Sequence, residues 1–205
     1  MTHRPECLVV LMAAVAVLST QGCSRSASRV RPPSINAVAA GAAAMEQYDT
    51  NRDGRVDATE LANAPGLKAA LANLDRNNDK CVDADEVAER IRIWQESRVG
   101  QTSVTTTVTF RGQPLAGATV VFEPEACLGP HVRPAVGTTT EDGVAPMKTE
   151  GADAPGVAPG LYLVRITKDG ANLPAKYNIE TVLGVEVARD GDYALNDQNG
   201  PLFAL

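Results

Sequence analysis

The sequence predicts an α+β chain in two parts: an all-α pair of helix–loop–helix units, then an antiparallel β-sandwich. Three observations carry this expectation. Two acidic stretches of twelve residues, 49–60 and 75–86, are flanked by segments in which apolar residues recur at helical spacing. After Gly100 the apolar residues recur at every second position instead. From there to the C-terminus, Gly and Pro cut the chain into short runs, as in small sandwiches. A length of 205 residues accommodates one medium domain or two small ones.

Composition narrows the function. Hydrophobic residues are 44% of the chain and charged residues 21%, ordinary globular usage that excludes wholesale disorder. A net charge of −6 argues against nucleic acid as a partner, because phosphate binding needs a basic face. Only His3 and His131 are present, which leaves no room for a His-rich metal site or a His-based triad. Aromatic residues are 4%, too few for a stacking platform. With no nucleophile–base pair and no Gly-rich phosphate loop in view, the chain is not expected to be an enzyme.

The first segment reads as a targeting signal. Arg4 precedes an apolar run from Cys7 to Leu18, which is shorter than the roughly 20 residues a membrane-crossing helix needs. The run ends in Ser19-Thr20-Gln21-Gly22-Cys23, and Gly22-Cys23 resembles a bacterial lipobox. That resemblance implies lipidation at Cys23 and a mature chain starting there. The expected organisation is residues 1–22 as signal peptide, 23–34 as lipidated Cys and solvated tether, 35–98 as the helical pair and 101–205 as the sandwich. Export permits disulfides, and Cys81 and Cys127 are the remaining thiols. A bridge between the two halves and two partly exposed free thiols are both open, the latter preferred.

The helical part carries the chemistry. Asp49, Asn51, Asp53, Gly54, Arg55, Val56, Asp57 and Glu60 are spaced as in the EF-hand calcium loop, which they resemble at every diagnostic place. The resemblance implies side-chain oxygens from Asp49, Asn51 and Asp53 and a sharp turn at Gly54. It also implies the Arg55 carbonyl, Asp57 through water and both oxygens of Glu60. The second stretch repeats it with Asp75, Asn77, Asp79, Cys81 (by its carbonyl), Asp83 and Glu86, but has Lys80 where the turn wants Gly. The expected cofactor is therefore two Ca²⁺ ions, with the second site weaker. Val56 and Val82 fall at the eighth place of each loop and are expected to pair. Leu67, Leu71 and Leu74, and likewise Val87, Ile91 and Trp94, form apolar stripes that suit core packing, which favours a structural pair over a switching one.

In the second part, Val104, Thr106, Val108 and Phe110 alternate with three threonines in a one-face-buried strand. Further strands are expected at 118–123, 137–140, 161–168, 181–188 and 192–195, with turns at 111–114 and 141–143. Gly112-Gln-Pro114-Leu-Ala-Gly117-Ala-Thr-Val-Val-Phe-Glu-Pro124, Thr140-Glu-Asp-Gly143 and Pro159-Gly160-Leu-Tyr162-Leu-Val164 resemble the carboxypeptidase regulatory-like (transthyretin-like) domains. Leu173-Pro174-Ala175-Lys176-Tyr177 resembles a loop of bacterial lipoproteins of this sandwich type. Such domains are accessory modules, so the resemblance brings no catalytic residues. The loop from Glu125 to Val136, with Cys127, His131 and Arg133, is longer than expected and is a candidate binding loop.

These readings converge on an exported, membrane-anchored calcium-binding protein of the cell envelope. Its partners are expected to be the membrane and a cell-envelope protein or polysaccharide. A dockerin-like docking module and a carbohydrate-binding accessory protein are the alternatives.

Overall fold

The structure, a computed structural model, describes residues 30–190 and 200–205. The signal segment, Cys23 and the strand expected at 192–195 lie outside the described residues. Helix α1 (Ala37–Tyr48) opens with Asn36, whose side chain accepts from the Ala39 N–H at 3.1 Å and satisfies one of the helix's free donors. Gly41 is the one residue of this Ala-rich helix that tolerates no side chain. A Cβ there would lie 2.2 Å from the Ala84 carbonyl oxygen, where α1 crosses the start of the helix that follows the second acidic loop.

After α1 the chain runs through the first acidic loop into β1 (Arg55–Val56), then a 3-10 turn at Glu60–Asn63. The expected second helix is two pieces, α2 (Pro65–Ala69) and α3 (Leu71–Leu74). The break lies at Ala70, whose N–H is shared between the Gly66 and Leu67 carbonyls in a tightened last turn. Leu67 and Leu74 are nevertheless buried, and Leu71 is half-buried, so the stripe works across the break. Pro65 opens α2 at a position where its missing N–H costs nothing. The second loop leads into β2 (Val82–Asp83) and α4 (Ala84–Glu96). Val56 pairs with Val82 in an antiparallel two-strand ladder, and both side chains are fully buried, as the matched spacing anticipated.

The C-terminal part forms two sheets. Its strands are β3 (Thr105–Phe110), β4 (Gln113–Pro114), β5 (Thr119–Pro124), β6 (Ala135–Thr138), β7 (Val144–Pro146), β8 (Lys148–Thr149), β9 (Gly160–Thr167), β10 (Gly184–Val187) and β11 (Leu202–Ala204). One sheet runs β10–β9–β5–β6–β8, and the other β11–β3–β4 with β7 also on β3. The chain passes from one sheet to the other through the turn at Thr140–Gly143, where Gly143 takes a positive φ of 74°. Phe122 of the first sheet meets Phe203 of the second edge-on, with centroids 6.4 Å apart, and Phe122 also packs on Tyr162.

Two sequence expectations need correction. The second sheet is not wholly antiparallel, because β11 pairs with β3 in parallel, Phe203 lying opposite Val108. A strand arriving from so far along the chain has no hairpin to dictate its direction. Strands β4, β7, β8 and β11 were not legible because two or three residues are too few to display alternation.

The helical part lies on the first sheet. Helix α2 packs against β9 and β10 so closely that a Cβ on Gly184 would lie 1.8 Å from the Pro65 carbonyl oxygen. Leu161 and Tyr162 are consequently buried on both faces of β9, and the buried apolar residues of both parts form one continuous cluster. We expect Gly184→Ala to cost about 2 kcal/mol or more through overpacking. Urea unfolding of the native chain is expected to be a single transition by both helix and Trp94 signals; two separated transitions would contradict the shared core.

Candidate functional site

The two acidic loops are built by local hydrogen bonds, and the second repeats most of those of the first. Asp49 closes the end of α1, its own N–H bonding the Met45 carbonyl at 3.0 Å. Its carboxylate accepts from the N–H groups of Arg52 at 2.6 Å, Asp53 at 3.2 Å and Gly54 at 2.8 Å. Asp75 likewise accepts from Asp79 and Lys80. Asn51 and Asn77 accept from the N–H groups of Asp53 and Asp79, both at 2.8 Å. Asp53 and Asp79 accept in turn from Arg55 and Cys81. These i to i+2 contacts wind each loop with Arg52 and Asn78, then Gly54 and Lys80, at positive φ. Lys80 adopts φ 64°, a conformation that costs a residue with a Cβ about 1 kcal/mol.

Glu60 and Glu86 draw each loop shut. Glu60 accepts from the N–H groups of Thr50 and Asn51, from the Thr50 hydroxyl at 2.8 Å, and from the Asp57 N–H at 3.0 Å. The Asp57 amide first, and the Thr50 hydroxyl next, hold its carboxyl below the ordinary range. Glu86 spans the Arg76 and Asp83 amides in the same manner and completes a capping box with Asp83 at the start of α4. Across the loops Arg55 pairs with Asp79 at 3.2 Å, an exposed contact of little weight. The Cys81 amide, ahead of Asn77 and Arg55, keeps Asp79 low.

Asp49, Asn51, Asp53, Arg55, Asp57 and Glu60 thus share one loop, and Asp75, Asn77, Asp79, Cys81, Asp83 and Glu86 the other. Their carboxylates face backbone amides. Among the described residues, no three His, Cys, Asp or Glu side chains gather into a ready-made metal cluster. The donor set is entirely oxygen: carboxylates, Asn carbonyls and the backbone carbonyls of Arg55 and Cys81. It suits a hard cation such as Ca²⁺ rather than a metal that prefers sulfur or imidazole.

Sequence reasoning missed the residues that hold these loops against the sheet. Glu125, at the end of β5, is 1% exposed, accepts from the Gly66 N–H at 2.7 Å, and takes a short hydrogen bond from the Tyr48 hydroxyl. Burial raises both groups, Glu125 above the ordinary carboxyl range and Tyr48 above that of a phenol. Glu186 of β10 accepts from Arg90 Nε at 2.5 Å, Trp94 Nε1 at 3.0 Å and Asn73 Nδ2 at 2.7 Å. Arg90 also forks onto Asp190 at 2.8 and 2.9 Å and holds that carboxyl below its usual range. No local pattern announces these pairs, since the partners are 59 to 113 residues apart.

The first part of the Glu125–Val136 loop is structural, while His131 and Arg133 toward its end stay open to solvent. Glu125, Cys127, Leu128 and Val132 are buried, and its 3-10 turn at Ala126–Leu128 packs on α1. His131 and Arg133 alone keep an exposed position among the three residues singled out there. Cys127 is a free thiol but not a partly exposed one, and burial pushes it up to about 12. Cys81 is free and half-buried.

No family model matches the chain, and no curated protein matches it either. Among the described residues no helix is long and apolar enough to cross a membrane.

Arg90→Ala is expected to cost about 3 kcal/mol in urea unfolding, because it leaves Glu186 buried without its cation. Glu125→Gln keeps an acceptor for Gly66 and Tyr48 while removing the buried charge. A raised carboxyl favours folding below its unfolded-state pKa and loses that contribution as pH rises through the folded value. The variant is therefore expected to gain stability relative to the parent as pH rises above the ordinary carboxyl range. Parallel pH–stability curves for the two proteins would refute this.

Proposed function

We propose that the chain is an exported, lipid-anchored calcium-binding protein. In this reading an EF-hand-like pair is joined to a transthyretin-like β-sandwich that serves as an adhesion or scaffold module. The observation that carries it is the set of seven backbone-amide hydrogen bonds that recur at equivalent positions in the two loops, register-matched through Val56 and Val82. Two unrelated acidic turns have no reason to share it. The first ion would be held by Asp49, Asn51, Asp53, the Arg55 carbonyl, Asp57 and Glu60. The second would be held by Asp75, Asn77, Asp79, the Cys81 carbonyl, Asp83 and Glu86.

Calcium supplies positive charge to loops that concentrate ten acids against five bases between residues 46 and 86. The chain's residues do the rest. Tyr48 and Gly66 on either side of the first loop bond Glu125, while Asn73, Arg90 and Trp94 on either side of the second bond Glu186. Opening either pair of helices breaks buried polar contacts, which supports a structural role over a switching one. The same packing disfavours a dockerin-like module, since α2 lies against the sheet. The anchor at Cys23 would place the protein on a cell-envelope membrane, with an envelope protein or polysaccharide as partner. No catalytic role is assigned.

Calcium titration calorimetry is expected to reveal two sites, the first tighter, at about 10⁻⁴–10⁻³ M as in extracellular modules. Glu60→Gln and Glu86→Gln each remove one site, and calcium raises the melting temperature. No heat, together with an unchanged melting curve in EGTA, would sink the reading. Lys80→Gly relieves the strained φ, and tighter binding by roughly fivefold at the second site is expected.

A further inference from the structure

The tether and the β-part border an open cavity that the calcium loops do not touch. Its volume is about 500 Å³, and Arg31, His131 and Arg133 line it together with Glu150 and Asp153. Both arginines are held there. The tether runs so close to Gly100 that a Cβ on that glycine would lie 2.1 Å from the Val30 carbonyl oxygen, which keeps Arg31 at the rim. Arg133 donates to the Glu150 carbonyl at 3.1 Å. Its Nη1 occupies the space a side chain at Gly151 would need, 2.7 Å from an ideal Cβ, and Gly151 has a positive φ of 71°. Among the described residues neither arginine forms an ion pair, a state they share with Arg52, Arg98, Arg111 and Arg189, so both guanidinium groups are available to a ligand.

We propose that this cavity binds a glycerol phosphate group. The phosphate sits between the guanidinium groups of Arg31 and Arg133, with a ring N–H of His131 as a further donor. Guanidinium forks match phosphate oxygens. Glu150 and Asp153 on the same rim accept from hydroxyls, so a phosphate carrying a polyol suits the cavity better than a bare anion. This chemistry comes from a soluble phosphate ester or from a phosphatidylglycerol headgroup. The second source draws on the anchored reading, since Cys23 is seven residues before Val30, a reach of at most about 25 Å.

The test is titration calorimetry on the full chain in a nonionic maltoside, with sn-glycerol 3-phosphate and with monomeric dihexanoyl phosphatidylglycerol. Binding of either probe is expected, weakened about tenfold by Arg133→Gln and by Arg31→Gln, and unchanged by Arg92→Gln on the far helix α4. Glycerol alone is expected not to bind, and inorganic phosphate to bind more weakly than the ester. Binding of the soluble ester only assigns a soluble ligand, and binding of the lipid only assigns a headgroup. Circular dichroism checks that each variant folds, and Arg31→Gln on the exposed tether carries the test if Arg133→Gln does not. No binding of either probe, or binding indifferent to both arginine changes, overturns the proposal. Because no calcium is added, failure here leaves the calcium reading untouched.

Discussion

Two carboxylates buried at the junction between helices and sheet, Glu125 and Glu186, constrain most of what surrounds them. A carboxylate out of water needs donors, and leaving one unpaired costs several kcal/mol. Neither strand supplies enough of them. The donors come from the helical part: Tyr48 and Gly66 for Glu125, and Asn73, Arg90 and Trp94 for Glu186. Apolar burial alone would press the helices onto the sheet without choosing among neighbouring positions. The hydrogen bonds choose, because each has a length and an angle to satisfy.

This constraint explains how such short helices persist. Helices of five and four residues, like α2 and α3, have no stability of their own in water. They stand because Leu67 and Leu74 are buried and because Gly66 and Asn73 are tied to the sheet. Glycine at 41 and 184 permits the approach, since at each a methyl group would strike a backbone carbonyl. The loops between these helices inherit their spacing from the same contacts. An ion held in either loop would therefore act on a frame already braced from below, and its binding would stabilise helices and sheet together.

The cavity beside the tether follows another logic. Its donors are supplied by segments remote in sequence, with Arg31 before the first helix and His131 and Arg133 after β5. The loop that holds His131 and Arg133 is anchored by buried Glu125, Cys127, Leu128 and Val132. The buried carboxylate that braces the helices thus also steadies one wall of the cavity.

What the sequence determined by itself is whatever depends on neighbours a few residues apart. The loop windings rest on bonds from Asp49, Asn51 and their counterparts to amides two to five residues on, so residue spacing alone reveals them. The alternation of Val104, Thr106 and Val108, and the Leu161–Thr167 run, disclosed strands for the same reason. Only the tertiary structure decided how the helical part sits on the sheet, the parallel direction of β11, the burial of the first part of the Glu125–Val136 loop and the grouping of Arg31 with Arg133. Each is a meeting of residues tens of positions apart, and no periodicity records which distant donor will satisfy a buried carboxylate.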